Sequence, residues 1–277
     1  MTTTSLVVSS PSASNLPEYP ADVPLSKCKL LTRGNNNAKL AKNQAPTWSL
    51  SLSPANTSGH EVCPWRSDGC TQVCVAHCGR AVMYATVPAA RIRKTRAFFA
   101  RRAEFLARVV KELYNANKWC RDRGVIGRVR LNTFSDLPFE QWIVLSAFDS
   151  LRFYDYTKSI ARARRAATGD ALYDNYRLCY SLNERSDERS VMNLIDAGGT
   201  VAVVLGDVRY VNSKNKEPMP AEWNGRPLID GDESDDRAND PRGVFVGLRL
   251  KGTKAFKAAG IASGFARSKM VPLTISR

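Results

Sequence analysis

The sequence is poor in histidine, in acidic residues and in long apolar runs. It contains two histidines, His60 and His77, which disfavours a Ser/His or Cys/His nucleophilic site elsewhere in the chain. No apolar run reaches the ~18 residues that a membrane-spanning helix needs, and the N-terminus lacks the basic segment and apolar core of a secretory signal. We therefore expect a cytosolic protein without a membrane span, in which reduced thiols favour metal binding over disulfides.

Basic residues outnumber acidic ones, 41 against 26, and the net charge is +15. Such an excess favours polyanionic partners, nucleic acid above all. The basic residues concentrate at 91–123, and a smaller group lies at 158–165. We expect nucleic-acid contact from Arg93, Arg96, Arg101 and Arg102. The alternative is a solvated helix face whose arginines pair with Asp and Glu elsewhere on the fold.

The chain divides into a polar arm and one larger unit. Residues 1–26 are rich in Ser, Thr and Pro and predict a disordered arm, and 27–277 predict a single α/β domain. Strands are predicted at 47–52, 127–131, 151–156, 176–181, 200–205, 226–229 and 244–248. Helices are predicted at 87–123 (as one or two), 139–148, 160–167 and 186–197. This alternation indicates a parallel α/β architecture, which we interpret as a partial or irregular (β/α) barrel with parallel strands.

Polar residues follow nearly every predicted strand. In (β/α) barrels the active site forms from the loops at the carboxyl ends of the strands, so these side chains are expected to meet at a common mouth. The catalytic candidates are Asp136, Asp155 and Lys158. The candidates for a cofactor pocket are Asn132, Ser135 and Asn183.

Four of the seven cysteines lie in one short loop after the first of these strands. They are Cys63, Cys70, Cys74 and Cys78, in a cysteine-rich loop at 60–80 that predicts a metal site. Thiolates are soft ligands suited to zinc and to iron–sulfur clusters. On one helix Cys70 and Cys78 would stand ~12 Å apart, so at least part of the segment must be a loop if both bind one group. A disulfide framework and a zinc set that includes His77 are the alternatives.

The cysteine loop also carries a resemblance to a known family. Cys63-Pro64, Gly69-Cys70 and Cys74 resemble the loop of a widespread family of bacteriophage proteins. The same resemblance extends over about 49–252, through 129–136, 153–158, 201–204, 227–232 and 240–241. The family implies no settled activity. Its cysteine loop is in turn similar to that of phage proteins grouped with the radical SAM enzymes, which share a partial (β/α) barrel with a cysteine loop after the first strand.

This second resemblance implies a cofactor. In radical SAM enzymes three cysteines, usually with three and then two residues between them, hold a 4Fe-4S cluster whose fourth iron binds S-adenosylmethionine. The resemblance selects Cys63, Cys70 and Cys74 here, with six and then three intervening residues, a departure from that pattern. Cys78 is an additional cysteine of this chain. As a fourth ligand it would occupy the iron that otherwise binds S-adenosylmethionine. Together with the basic charge and the expected cytosolic location, the resemblance leads to the hypothesis of a phage-encoded iron–sulfur protein in the cytoplasm of the bacterial host, acting on or near nucleic acid.

Two other hypotheses belong to different classes. The first is a non-enzymatic nucleic-acid-binding protein with a structural zinc at Cys63, Cys70, Cys74 and either His77 or Cys78. The second is a Mg²⁺-dependent nuclease, in which the cysteines serve only structure. Its metal ligands would be Asp136, Asp155, Asp230 and Asp232, because carboxylate oxygens suit Mg²⁺.

Overall fold

The computed structural model describes Leu25 and residues 28–34, 45–78, 84–212 and 215–270. The predicted disordered arm, 1–26, lies outside these residues apart from Leu25. The strands are β1 (Leu31–Arg33), β2 (Thr47–Leu50), β3 (Gly127–Arg130), β4 (Leu151–Thr157), β5 (Tyr176–Ser181), β6 (Thr200–Leu205), β7 (Glu222–Trp223), β8 (Arg226–Asp230) and β9 (Phe245–Arg249). The helices are α1 (Asp68–Gln72), α2 (Thr86–Ala100), α3 (Arg102–Arg121), α4 (Ile160–Ala167), α5 (Glu188–Asp196) and α6 (Lys254–Ala262).

All nine strands join one sheet, in the order β1-β2-β3-β4-β5-β6-β9-β8-β7. Strands β2 to β6 are parallel neighbours in chain order, and β9 and β8 continue the parallel run. That sequential order is the order of strands in a (β/α) barrel. Antiparallel β1 and β7 lie at the two edges, and no pairing joins them within the described part of the chain. The predicted α/β class with largely parallel strands is confirmed.

The helices cover one face of the sheet, which holds the main core. Val129, Phe153 and Leu178 on successive strands pack in one cluster with Phe105 and Val109 of α3. Full burial of such side chains contributes about 1.5–3 kcal/mol each. The opposite face, called here the second face, carries the alternate residues of the same strands. They include Arg130, Tyr154, Tyr156, Cys179 and Ala202.

Several boundaries follow the predictions closely. Helix α4 and strands β5 and β6 occupy the predicted ranges, and β6 is buried at nearly every position, as expected for a strand with neighbours on both sides. The stretch predicted at 87–123 is two helices, broken at Arg101, whose backbone leaves the helical region. Among the described residues no helix is both long enough and apolar enough to cross a bilayer.

The helix predicted at 139–148 is wrong. The segment forms two 3₁₀ turns, Phe139–Gln141 and Leu145–Ala147. Tertiary contacts outweigh the helical spacing of its apolar residues, because Glu140 turns inward to accept hydrogen bonds from Arg162 and from the Tyr173 hydroxyl. The helix predicted at 186–197 begins at Glu188, because Asp187 provides the cap.

Candidate metal centre

The cysteine loop lies beyond the carboxyl end of β2. Cys63 precedes α1, Cys70 lies within it, and Cys74 follows Val73, the residue that caps the end of the helix. Ser67 caps α1 by accepting a hydrogen bond from the amide of Cys70 at 3.1 Å. The segment is therefore part helix and part loop. The spacing of the cysteines requires such an arrangement if they are to bind one metal group.

Glu184, in the loop after β5, anchors the start of α1. Its carboxylate accepts hydrogen bonds from the Ser67 hydroxyl at 2.7 Å and from the Gly69 amide at 2.8 Å. A Cβ at residue 69 would lie 2.7 Å from a Glu184 carboxylate oxygen, so glycine permits this close approach. The cysteine loop and the β5 loop are thereby joined at the mouth of the sheet.

The thiols converge without forming disulfides. All seven cysteines are free, which is contrary to the disulfide framework considered above. The Cys63 sulfur accepts from the Ala55 amide at 3.4 Å and donates to the Phe134 carbonyl at 3.5 Å. Cys63 lies near enough to Cys70 and Cys74 to interact electrostatically with both. Within the described residues, however, no group of three His, Cys, Asp or Glu side chains has an arrangement that could hold a metal ion.

Burial makes these thiols weak acids. It raises the pKa of Cys63 to about 12 and that of Cys74 to about 11, and nearby cysteines add to both shifts. Both are therefore protonated at neutral pH. Metal binding by such thiols releases protons, because the thiolate is the ligand, so affinity for any metal should rise with pH.

Three cations of the described residues interact electrostatically with thiols of the cysteine loop. Arg91 of α2 lies beside Cys74, Lys158 beside Cys70, and Lys251 beside Cys78. The Arg91 guanidinium lies 4.1 Å from the centre of the Phe134 ring, which holds it under the loop. Arg91 and Lys251 were not among the predicted site residues. Their sequence neighbours gave no signal of this role, because the fold brings them to the loop from separate elements.

Asp136 is a predicted catalytic residue close to Cys63, and it is engaged in a buried ion pair. Its carboxylate accepts from Arg162 Nη1 at 2.5 Å, from the Lys158 amide at 2.7 Å and from the Thr157 hydroxyl at 3.1 Å. It also acts electrostatically on Cys63. Burial raises its pKa, and Arg162 opposes that shift. With these bonds in place, Asp136 fixes the β4 loop beside the cysteines.

Lys158 lies close to Cys70 but is turned towards the β5 loop. Its ammonium donates to the Ser181 carbonyl and hydroxyl and to the Leu182 carbonyl, at 2.9–3.0 Å. Burial lowers its pKa, and Cys70 and Asp136 oppose the shift. Asn183, on the same loop, accepts from the Arg185 amide at 2.8 Å. These contacts shape the mouth of the site.

Asp155, Asn132 and Ser135 form a second polar group, which contains none of the thiols. Asp155 accepts hydrogen bonds from the amides of Leu131 and Asn132, both at 3.0 Å. Asn132 accepts from the Ser135 hydroxyl at 2.8 Å and donates to a main-chain carbonyl. Each of these three side chains therefore has partners that hold the β3 loop in place.

Asp155→Asn tests the structural contribution of that residue. The amide would turn an NH₂ group towards a backbone N–H, so we expect a loss of about 1–3 kcal/mol in the free energy of unfolding. Burial raises the pKa of Asp155 to about 7, above its unfolded value of about 3.9. The stability that Asp155 contributes is therefore lost as the pH rises through 7. The variant's deficit in the free energy of unfolding, relative to the wild type, should be larger at pH 5 than at pH 8. Denaturant unfolding of the wild type and the variant at both pH values measures this deficit, and exposed Asp174→Asn is the control. A deficit of the same size at both pH values would contradict the proposed role of Asp155.

The four predicted nucleic-acid residues differ in their surroundings. Arg101 forms an ion pair with Glu104 at 2.6 Å, and Arg96 donates to the Ser58 carbonyl at 3.1 Å. Arg102 lies over aromatic rings, 4.7 Å from the centre of Phe98. Arg93 makes no hydrogen bond or ion pair within the described ranges. Arg96 and Arg101 also line a cleft of about 310 Å³ together with Ser58 and His60.

The acidic residues of the nuclease hypothesis are bound to cations. Asp230 and Asp232 both contact Arg249, and Asp230 is also paired with Lys216 and Asp232 with Lys251. Asp136 is paired with Arg162, as described above. Asp230 and Asp232 thus share one ion-pair network, which is separate from those of Asp136 and Asp155.

The fold and the site define the class of this protein, an α/β protein with a cysteine loop at the mouth of a largely parallel sheet. The chain belongs to the Gene product 88 family, whose model matches residues 29–269. This match confirms the resemblance to a phage protein family. Neither the curated proteins nor the solved structures contain a match to the chain.

Proposed function

We propose that the chain is an iron–sulfur protein in which Cys63, Cys70 and Cys74 bind a 4Fe-4S cluster. The observation that carries the proposal is the convergence of these three free thiols at the carboxyl end of the parallel strands. Cysteine thiolates are the usual ligands of such clusters. Arg91 and Lys158, beside Cys74 and Cys70, would offset the negative charge that bound thiolates introduce.

Cluster binding requires the three thiols to move towards one another, since no described trio has the arrangement of a metal site. The chain allows that movement in one part of the loop. The start of α1 is held by Glu184, whereas Cys74 lies beyond the end of the helix and is attached to it through Val73. We therefore assign the adjustment to the segment around Cys74, with Cys70 as the fixed ligand.

Cys78 is proposed to stay outside the ligand set. Its thiol lies beside Lys251 and near Cys74. Three-cysteine ligation leaves one iron without a protein ligand, and such an iron can bind S-adenosylmethionine, the chemistry that the resemblance to radical SAM proteins implies. In this proposal Glu184 orients α1, Lys158 holds the β5 loop, and Asp136 holds the β4 loop beside Cys63.

The open iron position is tested by spectroscopy. The full chain is reconstituted anaerobically with iron and sulfide and reduced, and its electron paramagnetic resonance spectrum is recorded with and without S-adenosylmethionine. We expect a cluster spectrum that S-adenosylmethionine changes. A cluster spectrum that it leaves unaltered would reject the open position, and a protein that takes up zinc but no cluster would reject the iron–sulfur assignment in favour of the zinc hypothesis.

Nucleic-acid binding is the second proposed activity, and the cleft beside Arg96 and Arg101 supports it. Log affinity falls with log salt by about 0.9 for each phosphate contact on duplex DNA. Replacing Arg93, Arg96, Arg101 and Arg102 with glutamine should flatten the measured slope by about 2–4 and weaken binding. Filter binding at several salt concentrations gives the slope.

A matched control removes the same charge from the other end of α3 and the turn after it. In that variant the exposed residues Lys111, Lys118, Arg121 and Arg123 become glutamine. We expect a slope closer to that of the wild type. If the first variant is folded and its slope is unchanged, the junction of α2 and α3 is not the binding face, and its arginines serve the intramolecular contacts described above.

A further inference from the structure

The second face of the sheet carries a buried group of hydrogen-bond donors that the cysteine site does not use. Arg130 projects from β3 and Tyr154 from β4, and Arg237 belongs to the segment after β8. Tyr154 is 0% exposed and Arg237 is 4% exposed. These three residues are called here the donor cluster.

The donor cluster has unpaired atoms. Arg130 Nε, the Tyr154 hydroxyl, and Arg237 Nε and Nη1 make no hydrogen bond within the described residues. Folded proteins pair the great majority of their buried polar groups. Arg130 Nε and Arg237 Nη1 lie beside carboxylates without hydrogen-bonding to them, and Asp240 Oδ2 is unpaired as well, so the Tyr154 hydroxyl and Arg237 Nε are the donors of the cluster that have neither kind of partner in the described part of the chain.

The three side chains share one region of the face. The Arg130 guanidinium lies 5.6 Å from the centre of the Tyr154 ring and 5.5 Å from that of Tyr156. Arg237 interacts electrostatically with Tyr156 and with Asp235, and Arg130 interacts with the same two residues. The donors of β3, β4 and the later segment thus lie in one region of the second face.

The charges around the donor cluster are balanced. Asp236 is paired with Arg128 at 2.8 Å, and Asp155, 3.7 Å from Arg130 Nε, accepts backbone amide hydrogens. Asp240 lies 3.3 Å from Arg237 Nη1. Four guanidinium groups, those of Arg128, Arg130, Arg177 and Arg237, face four carboxylates, those of Asp155, Asp235, Asp236 and Asp240, so an anion would be held by N–H and O–H donors rather than by an excess of positive charge.

We propose that the donor cluster binds the phosphate group of a small molecule. Guanidinium groups bind phosphate with strong charge-assisted hydrogen bonds. A phosphate presents oxygens in several directions, which suits donors that arrive from two strands and a separate segment. A carboxylate has two oxygens in one plane and would satisfy fewer of them. This site is independent of the proposed cluster, because it uses none of the cysteines of the loop.

The test measures binding of inorganic phosphate to the full chain by calorimetry, with chloride at the same ionic strength as the reference. We expect saturable binding to the wild type. Tyr154→Phe removes one unpaired hydroxyl while the ring still fills its place, so affinity should fall about tenfold with the melting temperature preserved. Arg130→Gln should weaken binding by about a hundredfold, because it removes a charged donor.

Exposed Arg152, on the same strand and face as Tyr154, provides the control: Arg152→Gln should bind phosphate as the wild type does. Absence of saturable phosphate binding to the wild type would overturn the proposal and leave ordered water as the partner of these donors. Equal affinity in the wild type and in folded Tyr154→Phe and Arg130→Gln would also overturn it, by locating the phosphate elsewhere.

Discussion

Cys74→Ala should purify without iron, whereas Cys78→Ala should keep the iron content of the wild type. Cys74 interacts electrostatically with Cys70, and Cys63 with both, so its loss removes one of three proposed ligands. Cys78 lies at the margin of the group, beside Lys251. Iron and sulfide are measured per chain after anaerobic purification, with circular dichroism as the check on folding.

The comparison of the two cysteine variants tests one point, whether the replaced thiol is a ligand of the cluster. Both remove one half-buried thiol from the same loop, so a general loss of packing should affect them alike. Equal loss of iron in both variants would point to four-cysteine ligation, and the open iron position would then be abandoned. Full iron content in Cys74→Ala would contradict the ligand set itself.

Arg162→Met should destabilise the fold by about 3–5 kcal/mol, the usual effect of breaking a buried ion pair from one side. The Arg162 side chain is 6% exposed and bonds two carboxylates, those of Asp136 and Glu140. Its removal leaves both acids buried without their cation. The variant should also disturb the cysteine loop, since Asp136 is hydrogen-bonded through its amide to the Val62 carbonyl, next to Cys63.

Arg165→Gln, on the same helix, is the matched control. Arg165 is paired with Asp170 at the surface, where ion pairs contribute little to stability. Denaturant unfolding compares the two variants. If Arg162→Met were as stable as Arg165→Gln, the buried network would not hold α4 against the β3 loop.

Local sequence patterns predicted much of the fold, because they act within a few residues. Strand β6 is a continuous run of β-branched and apolar residues, and α4 has its serine cap directly before it. The helix predicted at 139–148 failed because its decisive contact, between Glu140 and Arg162, joins residues 22 positions apart. No local pattern encodes such a contact.

The candidate site was predicted unevenly for the same reason. The cysteine loop could be located because its residues are adjacent in sequence and their chemistry is distinctive. The polar residues after the strands were placed near the mouth, but Asp155 and Asn132 hold the β3 loop with bonds whose partners the sequence does not reveal. Arg91 belonged to a stretch interpreted as a nucleic-acid face, yet it lies beside Cys74.

The iron and zinc content of the full chain after anaerobic purification tests the central claim most directly. We expect about four irons and matching sulfide per chain, with little zinc and an absorbance band at about 400 nm. A colourless protein with one zinc per chain and no iron under those conditions would contradict it.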